Sequence, residues 1–386
     1  VTTPHAVQRR HVLLAPDRFA GSLSAAEVAH HLAVGLRRVR PGVPVVELPV
    51  PAAGDGLAEA AIAAGWRRVP VEVTGPTGRP VTAALAVERD TAVVDLGTAA
   101  GPALLPDARP RPLTATSLGA GQLLAHAVRR VGARRVVLGL GGSAAADGGA
   151  GLIQGLGGRL LDAQGRDLPP GGAALRSLHR LDLRALTDLS RVDVVIAGDA
   201  ASPLLGRAGA AAPYGARGEA AGAEVRALDA GLRRWADLAE AAVRRIARDR
   251  AGAGAAGGAG FAALALLGAS APGTGFLLDL LGFPGLAREA RLVVTGEGVL
   301  DVRTLRGRTP ASVARASARA GAPVVAVAGT RGLTGEQSRR ARLHAVYALT
   351  DIEPDAARGL RQAGPLLEQL TVAIADEWLP PLTPRS

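Results

Sequence analysis

Short apolar runs that end in glycine or an acid recur along the chain, at His11–Pro16, Val43–Val50, Arg135–Leu140, Val192–Gly198, Leu292–Thr295, Val324–Gly329 and His344–Leu349. Several are apolar at consecutive rather than alternate positions, which is the pattern of parallel strands buried on both faces. Helical stretches lie between them. Ser24 to Val39 opens on a capping box, Ser24 with Glu27, and carries an apolar stripe at Val28, Leu32, Leu36 and Val39. Glu219 to Asp249 repeats the helical period through Val225, Leu228, Leu232, Trp235, Leu238, Val243 and Ile246. This alternation predicts an α/β architecture with mostly parallel sheet. Arg67 to Gly97 breaks the rhythm, because its short β segments are joined by Gly-Pro turns with no helix between; antiparallel strands and a second domain are expected there. The Ala/Gly-rich stretch Ala251 to Gly260 runs without a polar break into the apolar helix Phe261 to Leu267, so an ordered turn is expected rather than a linker.

The run Arg135 to Leu138 leads directly into Gly139 to Gly151, which reads GLGGSAAADGGAG. A strand entering so many glycines presents backbone N–H groups at the carboxyl edge of a sheet, where an anion can reach the main chain. No P-loop is possible, because that motif needs a lysine and the chain has none. A serine-hydrolase G-x-S-x-G and an H-x-x-x-H metal spacing are also absent.

The 386 residues, 48% of them hydrophobic, suffice for two compact domains. The formal charge of +11 suggests a nucleic-acid partner until the alphabet is read: lysine, asparagine, methionine and cysteine are all missing. Arginine, alanine, glycine and proline are inflated instead, the mark of GC-rich coding. The arginines are spread along the chain and aromatics make up only 2%, so neither a nucleic-acid surface nor a membrane partner is expected. Without cysteine there are no disulfides, thiolate metal sites or thiol nucleophiles. The polar lead before His11 and the brief strand after it fit neither a signal peptide nor a membrane span, so a cytoplasmic protein is expected. Oligomeric state is left open by the sequence.

Ligands of open α/β sheets bind beyond the carboxyl ends of the strands, and several acids fall there. Asp17 follows the first run, with Arg18 and Ser22 after it; Asp199 follows the fourth; Gly296, Glu297 and Asp301 follow Thr295; the glycine loop holds Ser143 and Asp147. Magnesium takes hard oxygen ligands, so one or two of these carboxylates with nucleotide phosphates would hold it, and a further one would accept a proton from an attacking hydroxyl. The alternative is that each acid caps the helix after it. Anion devices are the loop amides at Gly141, Gly142 and Ser143, helix N-termini, and Arg18, Arg303 and Arg308.

Five fragments, in order, resemble the type I glycerate kinase family over nearly the whole chain. APDRFAGSLSAAEVA from Ala15 resembles A-P-D-S-[FY]-K-x-S-L-S-A-x-E-V-A, and GGSAAADGGAG from Gly141 resembles G-G-S-A-T-N-D-G-G-A-G. DAASPLLGRAGAA from Asp199 is similar to D-V-x-N-P-L-x-G-x-x-G-A, GAGAAGGAG from Gly252 to G-A-G-A-A-G-G-x-G, and TGEGVLDVRTLRGRTP from Thr295 to T-G-E-G-x-x-D-x-Q-[ST]-x-x-G-K-x-P. The resemblance implies a flavodoxin-like parallel-sheet domain, residues 1–66 and 287–386, with a second α/β domain, residues 67–286, inserted. It implies ATP-dependent phosphorylation of glycerate or a related small hydroxy acid, with magnesium, the family leaning to the 2-hydroxyl. Asp199 or Asp17 would then be the base with Arg18 beside it, and Glu297 with Asp301 the magnesium ligands. Substrate and nucleotide would be held by Ser22, Gly141, Gly142, Ser143, Asp147, Gly296, Glu297, Arg303 and Arg308.

Departures from the family pattern fall on polar positions. Ala52 and Leu57 replace an aspartate and a threonine, Leu118 and Ala120 an arginine and a threonine, and Ala145 with Ala146 the Thr-Asn pair of the glycine loop. Ala20 stands for a lysine and Ser202 for an asparagine, and a further lysine falls on Gly218, beside Arg217. GC-rich coding explains Lys to Arg but not Arg to Leu118. Two alternatives follow: a kinase for a larger, more apolar acid, its pocket widened by Leu57, Leu118 and Ala120, or a catalytically degenerate member that binds ligand or regulates.

Overall fold

The computed structural model describes residues 10–51, 54–198, 202–306 and 308–380. Among them the strands are, in chain order, β1 His11–Pro16, β2 Val45–Glu47, β3 Arg67–Thr74, β4 Pro80–Glu88, β5 Thr91–Asp95, β6 Arg135–Gly139, β7 Arg159–Leu161, β8 Arg180–Asp182, β9 Asp193–Ala197, β10 Ala290–Leu300, β11 Val324–Arg331 and β12 Ala345–Ala348. The chain divides into two compact units, Val1–Ala52 with Gly273–Ser386, and Ala53–Pro272. Both divisions fall fourteen residues before the sequence-based boundaries at 66 and 286. The reason is helix packing: helix Leu57–Ala63 lies against β4 and β5, whereas helices Thr274–Leu280 and Phe283–Glu289 pack on helix Thr309–Arg319.

The first unit is built on a five-stranded sheet in the order β2-β1-β10-β11-β12, every pair parallel. This is the flavodoxin-like order, with its switch point between β1 and β10. Val12, Leu14, Leu292, Val294, Val325 and Val327 face one side, under helices Ala25–Val39 and Ala363–Trp378. Leu13, Val293, Ala326 and Ala328, on the alternate positions, are fully buried as well. Burial on both faces is why these runs read as unbroken apolar stretches. The capping box forms as expected, Glu27 N–H donating to Ser24 Oγ at 3.2 Å and Ser24 N–H to Glu27 Oε2 at 2.8 Å. β10 runs five residues beyond the expected end at Thr295 and keeps Glu297 paired opposite Ala328. Gly296 makes this possible, since a Cβ there would lie 2.5 Å from both Val327 Cγ2 and the Val327 carbonyl oxygen.

In the second unit the sheet order is β3-β4-β5-β6-β9. β3 to β5 are antiparallel neighbours, as the break in the helical rhythm predicts, while β5, β6 and β9 are parallel. Trp235, fully buried, anchors the core edge-to-face against Phe261 at 6.3 Å. The helix expected over Glu219–Asp249 is shorter, Gly222–Val243. Arg244 turns left-handed at φ 52°, and the Glu240 carboxylate accepts the Ala247 and Arg248 N–H groups, each at 2.9 Å, which ends the helical period before Ile246. Among the described residues no helix is long and apolar enough to cross a membrane.

Candidate active site

β1 ends at the switch point with Pro16 opposite Gly296, from which β10 continues, and the Asp17 N–H donates to the Gly296 carbonyl at 2.8 Å. Two carboxylates emerge there. Asp17, buried, accepts the Arg18 N–H on Oδ1 at 2.8 Å and the Thr309 hydroxyl on Oδ2 at 2.7 Å. Glu297, also buried, accepts the Thr304 hydroxyl on Oε1, with Arg308 Nη1 3.6 Å from Oε2. Burial pushes the Glu297 carboxyl up to about 7; Thr304 and Arg308 oppose the rise, and the negative charges of Asp17 and Asp301 add to it.

The other expected residues of this unit fall in different settings. Asp301 is forked by Arg303, whose Nε and Nη2 lie 2.8 and 2.6 Å from Oδ2, and the guanidinium holds its carboxyl below the usual range. Ser22 donates its hydroxyl to the Leu360 carbonyl, while Arg18 is exposed beside Asp17. Asp199 lies outside the described residues. Among the described residues no cluster of three or more His, Cys, Asp or Glu is placed to hold a metal ion. Magnesium needs fewer protein ligands than that, one or two carboxylates with phosphate oxygens. Glu297 fits, because a cation would offset both the burial that chiefly raises its carboxyl and the charges of Asp17 and Asp301.

The glycine loop of the second unit has two parts with different work. At its head the Leu140 N–H goes to Ala197 O at 2.9 Å and the Ala144 N–H to Ala100 O at 2.8 Å. Between these anchors the N–H groups of Gly141, Gly142 and Ser143 have no acceptor among the described residues. The tail is packing. Asp147, fully desolvated, accepts Ser117 N–H at 2.8 Å, Ser117 Oγ at 2.9 Å, Gly149 N–H at 3.0 Å and Gly151 N–H at 3.2 Å. It is the loop's internal staple, with both oxygens engaged, and stands in the capping role rather than at a ligand. Gly148 donates to Gly257 O at 3.0 Å, and a Cβ on Gly257, at φ +66°, would lie 1.8 Å from Ala145 O. Both glycine-rich motifs are therefore locked backbone to backbone.

Four of the substituted positions behave as core, whereas Ala20 and Gly218 are exposed and Ala52 lies outside the described residues. Leu57, Ala120, Ala145 and Ala146 are fully buried, Ala120 and Ala146 in the main core of the unit and Ala145 against Leu105 and Ala115. Leu57 and Ala120 thus fill the interior instead of widening a pocket, and Leu118 is half-buried at the start of helix Leu118–His126.

Several polar residues at these loops went unread in the sequence. Asp95 ends β5 and is 1% exposed; Oδ2 accepts the Gly56 N–H at 2.8 Å and Oδ1 has no hydrogen-bond partner among the described residues. Burial foremost, then the charge of Asp55, raises its carboxyl to about 7. The exposed Asp55 lies along the loop head, where a Cβ on Gly141 would fall 2.7 Å from Asp55 Cβ. Asp95 follows the same rule that singled out Asp17, an acid closing an apolar strand, but its run TAVVDLG stands in the antiparallel region where that rule was not applied. Thr304 occupies the [ST] position of the last motif, and Thr309 precedes its proline.

The model of the glycerate kinase family matches residues 12–379. The chain belongs to the glycerate kinase family. A glycerate kinase of Bacillus subtilis is 39% identical over 89% of this chain and 91% of its own, and the glycerate 2-kinase of Escherichia coli K12 is 37% identical over 83% and 85%. The crystal structure of a Salmonella typhimurium LT2 protein described as glycerate kinase 2 superposes with a TM-score of 0.74 at 34% identity, covering 96% of this chain and 99% of that one. As a glycerate kinase family member the chain is an enzyme of the kinase class, with the flavodoxin-like sheet and inserted α/β unit expected of it.

Proposed function

We propose that this enzyme transfers the γ-phosphoryl group of ATP to the 2-hydroxyl of glycerate, with magnesium. The observation that carries the reading is the pair of buried carboxylates at the switch point, Asp17 and Glu297, each held by a threonine hydroxyl. The name of the Escherichia coli relative, glycerate 2-kinase, supports the choice of hydroxyl.

Asp17 is the base. Its hydrogen bonds to Arg18 N–H and the Thr309 hydroxyl fix the carboxylate, which accepts the glycerate proton as the hydroxyl oxygen bonds to the γ-phosphorus and ADP departs. Arg18 supplies a cation beside that transfer. Glu297 is the magnesium ligand, with Asp301 and its partner Arg303 alongside and Arg308 next to the carboxylate. Magnesium held there would neutralise phosphate charge. Gly141, Gly142 and Ser143 offer their N–H groups to an oxyanion. Asp199 is the second candidate for the base.

Asp17→Asn tests the assignment. A coupled assay with MgATP and glycerate should show turnover reduced at least about a hundredfold, the yield of a positioned base, with the melting temperature little changed. Turnover within a few-fold of wild type removes Asp17 from the role.

A further inference from the structure

The unit Ala53–Pro272 contains a cavity of about 450 Å³ lined in part by Gly141, Gly142 and Ser143, whose N–H groups have no acceptor among the described residues. We propose that this cavity holds the adenine nucleotide, with its phosphates on those N–H groups, its base against a proline-alanine wall, and Arg217 as the pocket's cation. The proposal rests on the reading of ATP as phosphoryl donor and adds where the chain holds it.

Three observations carry it. The first is the cradle: consecutive backbone N–H groups with no acceptor among the described residues, following the carboxyl end of a parallel strand, suit an anion. A neutral or apolar ligand would leave them unpaired. The second is the wall. Pro102, Pro110, Pro213, Ala210 and Ala255 line the cavity with flat apolar surface. A three-carbon hydroxy acid presents polar edges on every side and gives that surface nothing to bury, whereas a purine covers it; the volume lies in the range of about 300 to 1,000 Å³ typical of cofactor-sized pockets. The third is Arg217, the single basic residue among those lining the cavity. Its Nε and Nη2 each lie 2.8 Å from a Glu219 oxygen, and its guanidinium sits 5.1 Å above the buried Tyr214 ring. One edge of the fork is thereby fixed and the other is left for phosphate, which a chain without lysine must recognise through arginine.

Gly142 offers a clean perturbation. A Cβ there meets nothing closer than Pro102 Cδ, another lining residue, at 3.9 Å, and its φ is not in the left-handed region, so a Cβ is added at the cavity without a clash or backbone strain. ADP binding to the full-length protein, measured by calorimetry, should weaken at least about tenfold in Gly142→Val and in Arg217→Ala, with partial recovery in Arg217→Lys. Melting temperatures should stay near wild type. In turnover, KM for ATP should rise while KM for glycerate stays within about twofold. ADP affinity unchanged in Gly142→Val overturns the proposal. So does a raised KM for glycerate with ADP binding intact, which would give the pocket to the acid. ADP binding that responds to these substitutions in a protein unable to phosphorylate glycerate upholds the pocket and removes the substrate reading instead.

Discussion

Asp95→Asn should remove one carboxyl's share of the stability that the second unit loses as pH rises. Asp95 is buried with one oxygen on the Gly56 N–H and the other without a hydrogen-bond partner among the described residues, and burial, then Asp55, raise its carboxyl from 3.8 to about 7. An acid raised on folding contributes stability that is complete below its unfolded pKa and is lost as pH rises through the folded one. The window therefore runs from about pH 4 to 7. A rise of about three units corresponds to about 4 kcal/mol over the whole window, of which about 2.5 kcal/mol falls between pH 5 and 8. Asparagine still accepts the Gly56 N–H and never ionises. Denaturant unfolding of wild type and variant at pH 5 and pH 8 should show the variant gaining on wild type by about 2.5 kcal/mol, or roughly 5 to 10 °C in the melting of a unit this size. The difference between the two proteins is the quantity to follow, because Asp147, also raised by burial, and Glu297 titrate in both. Parallel pH curves would show that Asp95 is ionised at no net cost and would refute the reasoning.

Gly257→Ala places a Cβ 1.8 Å from a backbone oxygen at positive φ and should destabilise the second unit by about 3 kcal/mol, read by denaturant unfolding. Ser117→Ala removes a hydroxyl that donates to Asp147 and accepts the Leu152 N–H at 2.9 Å, leaving two buried groups short of a partner; a loss of about 3 kcal/mol is expected by the same measurement. Thr309→Val takes one hydrogen bond from Asp17 and should lower kcat about tenfold with little change in either KM, measured in the coupled assay.

The parallel sheet of the first unit was legible because both faces of β1, β10 and β11 are buried, so their composition signals strand without ambiguity. The glycine loop was legible as a feature, but its division of labour was not. Gly141 to Ser143 and Gly148 to Gly151 look alike in sequence, and only the hydrogen-bond accounting separates open amides from packed ones. Asp147 shows the same limit, since an acid in a glycine loop reads identically whether four donors consume it or a ligand does. Asp95 was missed because it closes a strand in the antiparallel region, and Asp55 because its charge meets Asp95 from forty residues earlier in the chain. The alanines replacing family threonine and asparagine suggested lost ligand contacts, yet Ala120, Ala145 and Ala146 point into packed interior, a distinction that exists only in three dimensions.

Phosphorus NMR of the purified protein with MgATP and glycerate follows donor and product together. The γ-phosphate of ATP should disappear as a 2-phosphoglycerate resonance grows in equal amount with ADP. Phosphorylation at the 3-hydroxyl would contradict the choice of position, and ATP left intact while ADP still binds would contradict the kinase reading in favour of a ligand-binding protein.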